Sequence, residues 1–83
     1  MKTNRQKAME FADTYREYKK VEEEKQKVWY ALLDKWEKGS YADHELGDQV
    51  EAASKEYSEI REKTSICARM VVDYILKDQE GNR

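Results

Sequence analysis

The sequence contains no proline, three glycines, one cysteine and one histidine in 83 residues. Sheet-rich folds need turn residues roughly every 8–12 positions, and no cluster of Gly, Pro or Asn interrupts the chain between Thr3 and Ser40. That absence excludes a sandwich or barrel and predicts an all-α chain. One cysteine cannot form an internal disulfide, and one histidine cannot supply a conventional zinc site. No apolar run approaches 18 residues, and no apolar segment follows Met1-Lys2, so neither a membrane span nor a cleaved leader is expected. One sign of charge does not dominate: 16 Lys+Arg stand against 18 Asp+Glu, a net charge of −2. This balance argues against an obligate nucleic-acid binder.

Charged residues make up 41% of the chain and hydrophobic ones 39%, and the hydrophobic ones are ordered. Alternate steps of four and three from Leu46 visit Val50, Ala53, Tyr57, Ile60, Thr64, Cys67, Val71 and Tyr74. The matching walk from Ala8 visits Phe11, Tyr15, Tyr18, Glu22, Lys25, Trp29, Leu32 and Trp36. Two such heptad seams of equal length predict an antiparallel two-helix hairpin packed like a coiled coil. The expected organisation is one domain over residues 1–83, with helix 1 over about 4–38, a turn over about 39–42, helix 2 over about 43–79 and a disordered tail over 80–83.

Lys35 and Lys38 precede Gly39, which suits the left-handed position after a helix end. For helix 2, two capping boxes compete: Ser40 with Asp43, and Asp48 with Glu51. A start near Tyr41 with an irregularity at Gly47 is expected, since a long helix tolerates one glycine. A turn centred near Tyr41 pairs residues whose numbers sum to about 82. Trp29 then faces Ala53, Phe11 faces Val71, Ala8 faces Tyr74, and the polar Glu22 and Lys25 face Ile60 and Tyr57. Long stems let those two heads reach water.

A hairpin buries each helix on one side only. Between Ile66 and Leu76, nine of eleven residues are apolar, which is more than one neighbouring helix needs. Ala68, Val72, Ile75 and Leu76 are therefore expected to form a face for a second hairpin, giving a homodimeric four-helix bundle. At the other end Trp36, Tyr41 and Tyr30 are candidate aromatic anchors for a protein partner.

Chemical motifs are thin. Glu56, Glu59 and Glu62, with Glu10 and Asp13, lie off the seam among Lys55, Arg61 and Lys63, which reads as a solvated face and not as a carboxylate metal cluster. His44 reads as a surface residue and Cys67 as a small buried hydrophobe. Lys2, Arg5 and Lys7 form a short basic arm without aromatic interleaving. No catalytic residue, metal site or cofactor is expected.

Trp36-Glu37-Lys38-Gly39 at the turn, with Tyr74-Ile75-Leu76-Lys77-Asp78 near the C-terminus, resembles the WXG-type helical hairpins exported by type VII secretion, although this chain has two residues between Trp and Gly where that family has one. The resemblance implies a dimeric bundle, Trp36 and Gly39 as the turn signature, and Tyr74 and Asp78 as export determinants. Size and lack of chemistry favour a different function: a cytoplasmic, non-enzymatic protein-binding module, of the kind a phage or mobile element uses to inhibit or redirect a host protein. A WXG-like secreted hairpin or secretion accessory protein is the alternative. A nucleic-acid accessory factor is the second alternative.

Overall fold

In the computed structural model, which describes residues 1–81, the chain is an antiparallel hairpin of two helices, α1 (Asn4–Lys38) and α2 (His44–Gly81). It forms a rod with extents of 62 × 17 × 15 Å. Thr3 starts α1 with a capping box: its hydroxyl accepts from the Gln6 backbone N–H at 3.1 Å, and its own N–H donates to Gln6 Oε1 at 2.9 Å. Two N–H groups that a helix start leaves without partners are thereby satisfied.

The turn departs from expectation at Gly39, whose φ of −84° is right-handed. The left-handed positions are Ser40 (φ 57°) and Tyr41 (φ 60°). The Tyr41 N–H reaches back to Trp36 O, and the Ser40 N–H to Glu37 O, both at 3.0 Å. This is the Schellman pattern, with Ser40 in the position usually taken by glycine. An apolar contact between the outermost residue and the last helical turn commonly accompanies it, and here it is the Tyr41 ring on Trp36. That contact repays part of the left-handed strain, and Gly39 sits one position before it, in right-handed backbone.

Neither expected capping box starts α2. Asp43 is the cap, its Oδ1 accepting from Leu46 N–H at 3.0 Å while its carbonyl accepts from Gly47 N–H. The helix passes through Gly47 without a break. At the far end it continues through Glu80 and Gly81, where a disordered tail was expected; Asn82 and Arg83 lie outside the described residues.

Among the described residues six are buried, Ala8, Glu22, Val50, Ala53, Thr64 and Cys67, and all lie on the two predicted seams. Ring contacts fall about one helical turn from the expected layers: Phe11 stacks on Tyr74 at 5.7 Å, and Trp29 on Tyr57 at 5.3 Å. Long helical side chains lean toward their own N-terminus. In antiparallel helices the two leans add, so rings meet partners later in the sequence than backbone register suggests.

The polar layer differs more. Glu22 is largely shut off from water: its side chain is only 9% exposed, and it accepts from Lys19 Nζ at 3.0 Å. This contact raises the Lys19 pKa, through the hydrogen bond first and charge attraction second. Lys25 bridges the helices, donating to Glu56 Oε2 at 3.1 Å. Thr64 satisfies its buried hydroxyl on the Ile60 carbonyl at 2.8 Å.

Candidate functional site

The turn end brings two of the three expected aromatic anchors together. Trp36 and Tyr41 meet edge to face at 5.0 Å and 89°, a favoured geometry for aromatic quadrupoles. Trp36 has little left to offer a partner, because one part of its indole lies against Gly47 and Tyr41 meets it as well. Its Nε1 is buried with no hydrogen-bond acceptor. Tyr41 remains outward, 55% exposed. Tyr30 does not join them. It packs on Trp29 at 5.1 Å, and its hydroxyl accepts from Gln26 at 3.4 Å, so it forms part of a Tyr57-Trp29-Tyr30 cluster farther along the rod.

The open end, where α1 begins and α2 finishes, carries the apolar surface. Val72, Ile75 and Leu76 are exposed and Ala68 is half-buried. Spacing of three and four places Ala68, Val72 and Ile75 on one face of α2, with Leu76 continuing around its outer side. Beside Ala68 the surface dips into an open dent of about 300 Å³ lined by Ala12, Tyr15, Arg16, Ala68 and Val71. The sequence reading missed the α1 half of this surface. Met9, 62% exposed, stands three residues from Ala12, about one turn, much as Val72 stands four residues from Ala68 on α2.

The remaining candidates are engaged elsewhere or lie apart. Tyr74 is held in the hairpin by Phe11, with the Lys7 and Lys77 ammonium groups at 5.6 and 5.1 Å from its ring centre. Lys2 pairs with Glu10 and Asp13 with Arg16, so within the basic arm Lys2 and Lys7 already have contacts inside the hairpin. Glu56 is taken by Lys25, while Glu59 and Glu62 are exposed. Among the described residues no three His, Cys, Asp or Glu side chains are placed to hold a metal ion, and no helix is long and apolar enough to cross a membrane. His44 is exposed at the first turn of α2, and Cys67 is buried with a free thiol. Compared with protein-family models, curated proteins and solved structures, the chain matches none.

Proposed function

We propose that this chain is a cytoplasmic, non-enzymatic protein-binding module that pairs with itself through its open end and inhibits or redirects a second protein. One observation carries this reading. Among the described residues no side chain is fully buried, while Met9, Val28, Tyr30, Tyr41, Ile66, Val72, Ile75 and Leu76 are all exposed large apolar residues. A core of this size rarely stabilises a fold by more than about 3–5 kcal/mol, and contiguous exposed apolar surface commonly marks an interaction site. The clustering of Val72, Ile75 and Leu76 beside the dent makes the open end the stronger of the two candidate surfaces, with Tyr41 the remaining aromatic anchor at the turn.

The test compares the natural chain with Val72→Glu/Ile75→Glu by sedimentation and by capture of proteins from a host extract. Buried unpaired charge costs several kcal/mol, whereas the same groups on a free surface are hydrated. The double variant should stay helical and lose both self-association and capture. Retention of both activities by the variant rejects the open end as the binding surface.

A further inference from the structure

The self-pairing proposed above leaves open how two copies fit, and the shape of the open end points to one arrangement. On α1 the large exposed Met9 stands one turn nearer the open end than the small Ala12. On α2, which runs the other way, the large exposed Val72 stands one turn nearer the open end than the small Ala68. Both helices therefore carry a knob outside a hole, and Ala12 and Ala68 share the same dent of about 300 Å³.

A two-fold axis perpendicular to the rod, passing between the knobs and the holes, exchanges the two levels. It lays α1 on the second copy's α1 and α2 on its α2, both antiparallel, and sets each knob over a hole. A two-fold along the rod instead sets knob on knob and hole on hole. The surface is thus complementary to itself under one symmetry operation, as an isologous interface requires.

We infer that the ligand of this dent is a second copy of the chain, with Val72 of each copy seated on Ala68 of the other and Met9 on Ala12, the two hairpins overlapping at their open ends and extending in opposite directions. The chain exposes 6700 Å² at 9.9 kDa, whereas a compact monomer of that mass exposes about 5,200 Å². That excess is spread along the whole 62 Å rod; the open end contributes to it the exposed side chains of Met9, Val72, Ile75 and Leu76, the apolar surface that a second copy would cover, against the roughly 800 Å² per partner of a standard stable interface. A net charge of −2 leaves little overall repulsion between copies. The overlap brings Arg5 level with Arg16 of the other copy, a local like-charge cost that salt and the exposure of both side chains reduce.

The experiment is a size swap read by sedimentation equilibrium on the purified full-length chain, with helicity followed by circular dichroism. Ala68→Val should overfill the hole and Val72→Ala should leave it empty, each weakening the dimer by about tenfold or more. The double variant Ala68→Val/Val72→Ala restores the combined volume and should recover most of the lost affinity, a coupling expected only if the two positions touch across the interface. Ile66→Ala, on another face of α2, should leave the dimer unchanged.

A dimer indifferent to both single substitutions, or a double variant no better than the sum of the singles, overturns this arrangement. A natural chain that is monomeric at high micromolar concentration overturns the second copy as ligand. In that event the protein-binding reading survives only if Val72→Glu/Ile75→Glu still abolishes capture from extract.

Discussion

The Trp36 indole lies directly on Gly47: a Cβ built there comes within 3.1 Å of Cζ2, 3.2 Å of Cε2 and 3.3 Å of Nε1. Gly47 is thus the floor on which the last aromatic of α1 rests, and α2 accepts a poor helix former to provide it. Gly47→Ala should gain about 1 kcal/mol in helix propensity. Against this, a rigid ring also contacted by Tyr41 must be displaced, at a typical overpacking cost of about 1–3 kcal/mol. The expected result is a net loss near 1 kcal/mol in urea unfolding. The sign should reverse in a Trp36→Ala background, where only the propensity gain remains, and a loss in both backgrounds rejects the contact as the cause.

The turn makes an asymmetric prediction. Ser40 holds φ 57° with a side chain, and left-handed backbone costs an L-residue roughly 1–2 kcal/mol, so Ser40→Gly should stabilise the hairpin by about 1 kcal/mol after its entropic cost in the unfolded chain. Gly39 is right-handed, and a Cβ there meets nothing nearer than Lys35 O at 3.6 Å. Gly39→Ala should therefore stabilise by about 0.5–1 kcal/mol. Thermal melts of the two variants decide this, because a left-handed Gly39 would make its alanine variant less stable.

Glu22 is a carboxylate inside a seam, neutralised by Lys19. Replacing buried ionic groups with apolar ones of similar size is often neutral or stabilising, and Glu22→Leu is expected to gain about 1 kcal/mol in denaturant titrations. The Lys19 pKa is raised in the folded state. Its stabilising contribution is therefore complete below the ordinary lysine pKa and is lost as pH rises through the higher folded value. The stability difference between the natural chain and Lys19→Met should stay constant from pH 6 to 9 and shrink toward pH 11. A difference that vanishes on acidification within that lower window contradicts the assignment.

Trp29 and Tyr30 are neighbours with different roles. Trp29 stacks on Tyr57 across the hairpin, whereas Tyr30 is 53% exposed and covers only the outer side of Trp29. Trp29→Ala should cost about 3 kcal/mol, the low end for aromatic truncation in a core because the site is only half-buried, and Tyr30→Ala less than about 1 kcal/mol. Chemical denaturation of both variants distinguishes these values. Equal losses would place the seam on the wrong face of α1.

The two helices, their antiparallel pairing and the seams between them were legible in the residues because heptad spacing is a local property repeated many times, and every buried residue from Ala8 to Cys67 obeys it. The candidate apolar face was half legible: the run from Ile66 to Leu76 announces itself by density, but Met9 and Ala12 sit beside the seam residues Ala8 and Phe11 in a much shorter apolar stretch and gain meaning only when α2 sets Ala68 beside them. The remaining details depend on distances between the helices. That Ser40 and not Gly39 is left-handed goes with the closure of the turn, in which the Ser40 and Tyr41 N–H groups reach back to Glu37 and Trp36. Gly47 looks like a weak point in a helix until the indole is seen to need its missing side chain. Glu22 looks solvated by its long stem until the helices close over it with Lys19. Periodicity specifies which side of a helix is covered; the lean of each side chain and the separation of the two axes decide what covers it.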